Sequence, residues 1–266
     1  MNAVNKTLYI PLYGKAQVSR KGIILHDPWA ERIWEAEGFA LRGKSRSRWL
    51  AYYMGMRAAV MDGWVRDKLE EAGHALVLHI GCGMDSRAMR IGKGCAKWID
   101  VDFPAVIAER SRYYEQSDTY AMLGADASGA AWVEQLPDAG RVIVVMEGLS
   151  MYLTVEQMRT LLTAIGRRYA RAEVIMDCYT QFAAKASKYK NPVNDVGAGI
   201  VSGVDDPQAY AQGTGFSFAE ELNMTPDTLI DQLCGWERAV FKKVFAGRFA
   251  KGLYRIYTYR SEQYEV

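Results

Sequence analysis

Between Ala75 and Tyr179 short apolar runs alternate with amphipathic stretches, and this rhythm restricts the fold more than any other feature. Strands joined by helical connections pair in parallel, with helices packed on both faces of the sheet. The reading places strands at Ala75–Ile80, Lys97–Val101, Tyr120–Leu123, Arg141–Met146 and Glu173–Tyr179. Pro104 starts a helix running through Ile107 to Tyr114, proline being tolerated in a first turn. Thr154, with Glu156 and Gln157 close behind, caps another.

The flanks follow other rules. Up to residue 72 the punctuation is helical: Asp27-Pro28 opens a segment with Trp29, Ile33 and Trp34 at helix-like spacing. The basic run Arg42 to Arg48 reads as a solvated loop leading into an amphipathic helix. Residues 181–224 break the rhythm, with Lys185, Lys188 and Lys190 leading into Asn191-Pro192 and a Gly/Asp-rich stretch as far as Gly215. This is an insertion of the kind that serves as a lid or binding element. Pro226 restarts a helix, and β-rich runs at about Glu237–Val244 and Gly252–Tyr259 are expected to form a terminal antiparallel pair.

Composition narrows the partners. A chain of 266 residues can bury a full core, and with half its residues hydrophobic and 24% charged it is neither disordered nor collagen-like. A formal net charge of +2 lacks the concentrated basic character that phosphate binding requires, so neither nucleic acid nor an anionic membrane is an expected partner. The four cysteines stand singly, without a CxxC, which argues against a disulfide framework or a zinc site; His79 and Cys82 have ligand-like spacing but no second pair. No run approaches the ~20 apolar residues of a membrane span, and no leader pattern opens the chain, so a reduced cytoplasmic setting is the expectation.

Chemistry concentrates after the strands. The loop Gly81-Cys82-Gly83-Met84-Asp85-Ser86-Arg87 follows the first strand and opens a helix, where glycines let backbone approach a ligand and helix N–H groups face it. Asp102 ends the second strand, about 20 residues after the glycines, and suits the two hydroxyls of an adenosyl ribose. That pair fits a nucleoside-containing methyl donor and NAD alike, although Ser86 occupies the third glycine position of the dinucleotide fingerprint. Glu147-Gly148-Leu149-Ser150-Met151-Tyr152-Leu153 follows the apolar fourth strand, and a strand-end glutamate is costly to bury without a partner.

Five stretches in order resemble the leucine carboxyl methyltransferase family, which includes bacterial O-methyltransferases of polyketide biosynthesis. They are Arg57 to Asp62 (RAAVMD), GCGMDSR, Asp100 to Pro104 (DVDFP), Gly124-Ala125-Asp126, and EGLSMYL. The resemblance reaches from near the N-terminus to about residue 165. It implies a Rossmann-like class I methyltransferase: a seven-stranded, mostly parallel sheet with an antiparallel last strand. The corresponding division is a helical cap (1–72), an S-adenosylmethionine-binding core (73–180), the insertion (181–224) and a C-terminal helix with strands (225–266).

The resemblance also implies roles. Arg57 reaches the methionyl carboxylate with its planar donor fork; Gly81, Cys82 and Gly83 let backbone approach the donor; and Asp102 holds the ribose. Asp126 receives the adenine amino group, Ala127 lies against the base, Glu147 sits near the methionyl part, and Lys15 in Tyr13-Gly14-Lys15-Ala16 adds a second cation. Two positions depart from the pattern: Ala58 replaces a threonine and Ala127 a larger apolar residue.

Methyl transfer requires alignment of nucleophile, methyl and sulfur, and positioning alone can supply roughly 7–11 kcal/mol. The expected acceptor is a carboxylate of a small molecule or peptide, which is already anionic at neutral pH. It needs orienting donors, with Tyr152 the first candidate and Arg57 and Lys15 at the edge. A hydroxyl or amine acceptor would call for a base, and the chain has only His26, His74 and His79, the last read as a core residue. Two rivals share part of the pattern: an NAD-dependent oxidoreductase, and a non-catalytic protein that retains S-adenosylmethionine binding.

Overall fold

The computed structural model describes residues 8–37, 46–187 and 202–261. Three helices open the described chain: α1 (Tyr9–Arg20), α2 (Pro28–Glu37) and α3 (Arg48–Ala72). The strands are β1 (Leu76–Ile80), β2 (Lys97–Asp102), β3 (Tyr120–Gly124), β4 (Val142–Met146), β5 (Ala172–Tyr179), β6 (Phe216–Leu222) and β7 (Tyr254–Ser261). Between them lie α4 (Arg87–Ile91), α5 (Pro104–Arg110), α6 (Val155–Arg168) and α7 (Gly235–Val244), with shorter turns. From the basic run, residues 42–45 lie outside the described residues. So do Lys188, Tyr189, Lys190, Asn191-Pro192 and the glycine-bearing stretch to residue 201.

The sheet has the order β3-β2-β1-β4-β5-β7-β6. Strands β1 to β5 run parallel to their neighbours, and β7 alone is reversed, pairing antiparallel with β5 and with β6. This is the predicted Rossmann-like architecture. Each central strand buries both faces: Leu76, Leu78 and Ile80 of β1 join Val144, Met158 and Leu162 in one cluster, while Val77 joins Ile143, Ile175 and helices α1 to α3 in the other. Two-sided burial is why these strands read as unbroken apolar runs.

Three expectations change. The run Glu237–Val244 is part of helix α7, whose inward face carries Glu237, Phe241 and Phe245 every four residues and sets Phe241 in a core with Tyr52 and Met56. The antiparallel partner of β7 is instead β6, inside the span assigned to an insertion, where Phe216 and Phe218 alternate with polar residues. The helix from Pro104 also ends at Arg110, four residues early. Thr154 caps α6 as expected, accepting from the Gln157 N–H while the Gln157 side chain accepts from Thr154.

Helix α3, 25 residues and about 37 Å long, crosses α1 at close range. A Cβ on Gly14 would come 2.9 Å from Met54 Cβ, and one on Gly55 would come 2.8 Å from Val18. That approach brings Lys15 of α1 and Arg57 of α3 against the sheet.

Candidate active site

Parallel strands end together, so the residues after them meet at one edge of the sheet. Gly81 follows β1, Asp102 ends β2, Asp126 lies just past β3, and Glu147 follows β4. The strand order turns back between β1 and β4, the point where open α/β sheets leave a crevice. A cavity of about 910 Å³ occupies it, near the top of the roughly 300–1,000 Å³ range of small-molecule sites. Gly81, Cys82, Gly83, Asp102, Asp126 and Ala127 line one part. Lys15, Arg57, Glu147 and Tyr152 line another part, so every residue given a cofactor or acceptor role in the sequence borders the same space.

Glu147 sits in a buried ionic cluster. Its Oε1 accepts from Arg57 at 2.8 Å (Nη2) and 3.2 Å (Nε), Lys15 Nζ lies 3.3 Å away, and its Oε2 accepts from Arg87. Burial would push this carboxyl up, but Lys15, Arg57 and Arg87 hold it well below the usual carboxylate range. Arg57 also donates from Nη1 to Asp177 at 2.8 Å and to the Tyr254 hydroxyl at 2.7 Å. Four of its five N–H groups are thus taken, and a single Nη2 hydrogen remains where an open fork was expected.

The cluster continues beneath the glycine loop. Lys15 pairs with Asp85 at 2.7 Å, and Arg87 and Arg90 both grip Asp62 at 2.7 Å. Arg90 also reaches Asp27 at 2.7 Å and Asp85 at 2.9 Å. The connected ion pairs join four cations (Lys15, Arg57, Arg87, Arg90) to five carboxylates (Asp27, Asp62, Asp85, Glu147, Asp177), a formal excess of one negative charge. Asp177 and Tyr254 escaped the sequence reading. The available signal was an aspartate inside an apolar strand, which needs a partner to be buried. Ala58, one of the two departures, lies in the core with Val18, Met56 and Phe241.

His79 spans this cluster and a second one. Its Nε2 lies 3.3 Å from Arg87 Nη1 and its Nδ1 3.1 Å from Asp100. Arginine can only donate, so Nε2 accepts and Nδ1 carries the proton toward Asp100. Burial would raise the Asp100 carboxyl, yet Arg110, His79 and Tyr120 bring it down to about 2.

The glycine loop presents itself differently from expectation. The N–H groups of Gly81 and Cys82 donate to Val101 O at 2.8 and 3.3 Å, and that of Gly83 donates to Asp102 at 2.7 Å. These donors secure the loop to β2. Among the described residues nothing donates to the Gly81 carbonyl, so the loop offers an acceptor. Gly81 sits at φ +71°, where a Cβ would meet Leu149 at 3.1 Å. Burial pushes the Asp102 carboxyl up, partly offset by the N–H groups of Gly83 and Phe103.

Opposite the loop, Tyr53, Tyr152, Tyr179 and Tyr254 border the cavity. Tyr152 ends a 3-10 turn (Ser150–Tyr152) fixed to β5, since Gly148 N–H donates to Asp177 at 2.7 Å and the Ser150 hydroxyl donates to the Asp177 carbonyl. Its phenol is pushed up to about 12, first by burial and then by Tyr179. Neither its hydroxyl nor that of Tyr53 has a hydrogen-bond partner among the described residues.

Residues 13–166 match the family described as leucine carboxyl methyltransferase. Over 208 residues, 76% of this chain and 77% of the relative, the sequence is 31% identical to the tetracenomycin polyketide synthesis O-methyltransferase TcmP of Streptomyces glaucescens. It is 25% identical over 232 residues, 78% of each chain, to the S-adenosyl-L-methionine-dependent methyltransferase dpfgK of Gibberella zeae. The fold is similar to that of magnesium protoporphyrin IX methyltransferase from Synechocystis with bound S-adenosylmethionine, at a TM-score of 0.51 and 12% identity over 87% of this chain and 90% of that one. The chain belongs to the leucine carboxyl methyltransferase family and is an S-adenosylmethionine-dependent O-methyltransferase.

Proposed function

We propose that the methyl acceptor is a small-molecule carboxylate, held beside Tyr152, and that the cofactor lies between the Asp102–Asp126 end of the cavity and the Glu147 cluster. The donor set fits such a cofactor. Asp102 and Asp126 supply acceptors for ribose and adenine, the Gly81 carbonyl is an open acceptor for an ammonium, and the remaining Arg57 N–H and Lys15 face a carboxylate. The ionic cluster carries one formal negative charge in excess, which complements a ligand of net positive charge. When bound, S-adenosylmethionine supplies an electrophilic methyl group on a cationic sulfur.

The observation that carries the carboxylate reading concerns bases. Near the phenols, among the described residues, Glu147 is bound to three cations, Asp177 accepts from Arg57, Tyr254 and Gly148, and both nitrogens of His79 are engaged. None is placed to take a proton from an acceptor. An acid ionised near pH 7 needs no such step. What it needs is a donor that orients one oxygen without neutralising it, and a Tyr152 phenol that stays protonated until about pH 12 meets that requirement. Met54, Leu50 and Leu253 supply an apolar part of the lining that suits the body of such an acid.

The test is the chemical nature of the product. With tritium-labelled S-adenosylmethionine and a panel of aromatic acids and phenols, a methyl ester releases volatile radioactive methanol in mild alkali, whereas an aryl ether does not. Alkali-labile product from the acids is the expected result. Transfer confined to phenols, with alkali-stable product, would overturn it.

A further inference from the structure

A second cavity of about 260 Å³ adjoins the first, with room for eight or nine waters at roughly 30 Å³ each. The two share Tyr53, Phe245 and Tyr254 as walls. No glycine-loop residue lines the smaller one, and neither Asp102 nor Asp126 does. It therefore belongs to the phenol end, away from the nucleoside end, and Tyr254 links it to the reacting region: this residue lines both cavities while its hydroxyl binds Arg57 and Asp177.

The remaining walls are Leu222 and Met224 together with Glu221, Asn223, Thr225 and Arg255, a mixed lining that is collectively neutral. Arg255 Nη1 pairs with Glu221 at 3.0 Å, cancelling both charges. Asn223 Oδ1 accepts from the Thr225 N–H at 3.3 Å, which leaves the Asn223 amide hydrogens unassigned. The hydroxyl of Thr225, a residue only 4% exposed, has no hydrogen-bond partner among the described residues. A pocket with hydroxyl and amide donors, a neutralised ion pair and an aromatic threshold selects a neutral hydrogen-bonding group attached to an apolar body.

We propose that this cavity is an acceptor subsite, holding a hydroxyl or carbonyl group at the far end of a ring-bearing acid whose carboxylate lies at Tyr152. The inference deepens the carboxylate reading and rests on it for the orientation of the acceptor. The apolar middle of the molecule would lie across Tyr53, Phe245 and Tyr254.

Calorimetry on the enzyme loaded with S-adenosylhomocysteine separates the two ideas, because it needs no turnover. The probes are two matched pairs: biphenyl-4-carboxylate with 4′-hydroxybiphenyl-4-carboxylate, and 2-naphthoate with 6-hydroxy-2-naphthoate. In at least one pair the hydroxylated acid should bind about tenfold more tightly than its parent. Thr225→Val, an isosteric change, should abolish that advantage and leave the parent's affinity unchanged. Asn223→Ser, at an exposed position where serine can still accept from Thr225, should reduce it and covers the case that the buried variant fails to fold. No advantage in either pair, or an advantage untouched by both variants, would overturn the subsite. Alkali-stable methylated products from these acids would overturn the carboxylate reading while a Thr225-dependent hydroxyl preference still stood.

Discussion

Glu147 satisfies three buried cations with one carboxylate, so Glu147→Gln leaves Lys15, Arg57 and Arg87 without their shared anion. Breaking a buried pair from one side costs about 3–5 kcal/mol. Urea unfolding should show a loss of that size, together with weakened S-adenosylhomocysteine binding. Tyr152→Phe should behave oppositely. A hydrogen bond to a charged group contributes roughly 1.5–3 kcal/mol, so kcat/KM for an acid should fall on the order of 10- to 100-fold while S-adenosylhomocysteine affinity, read by calorimetry, stays put. Asp100 gives a pH signature. Its folded pKa of about 2 lies below the ordinary 3.8, so its contribution is fully present above pH 4 and is lost as pH falls toward 2. The difference corresponds to about 2 kcal/mol. Stability measured in urea should decline over that window, and Asp100→Asn should flatten the decline.

Elements explain both what the sequence disclosed and what it concealed. Strands β1, β2, β4 and β5 were legible to within a residue or so because burial on both faces leaves no polar interruption, and α6 because Thr154 and Gln157 form a capping box. Thr154→Ala should therefore cost about 1 kcal/mol in urea unfolding, without altering methyl transfer. The stretch 237–244 was misread because Val240, Phe241 and Val244 suit strand and helix equally. Only the position of Phe241 against Tyr52 and Met56 of α3 decides between them. The turn after β1 makes a sharper demand. At φ +71° a side chain is strained by roughly 1–2 kcal/mol, and its Cβ would press on Leu149. Gly81→Ala should lower both stability and S-adenosylhomocysteine affinity, the second by calorimetry.

Across the whole molecule the cavity joins two layers that the sequence presents separately: Lys15 and Arg57 from the helical cap, and Gly81, Asp102 and Glu147 from the sheet edge. The family resemblance indicated which residues gather there. It could not reveal that Arg57 is already engaged, because Asp177 and Tyr254 lie 120 and 197 residues further along the chain. A ligand bridging both layers binds only the native state. S-adenosylhomocysteine at 100 times its Kd should stabilise by about 2.7 kcal/mol and raise Tm on the order of 5–10 °C. The cluster of five carboxylates and four cations has a consequence for the protein's lifetime. A positively charged methyl donor that offsets the extra carboxylate stabilises only the folded chain, so the ligand-free enzyme should be the more readily digested form, and survival under a protease should gauge how well it is supplied with its donor.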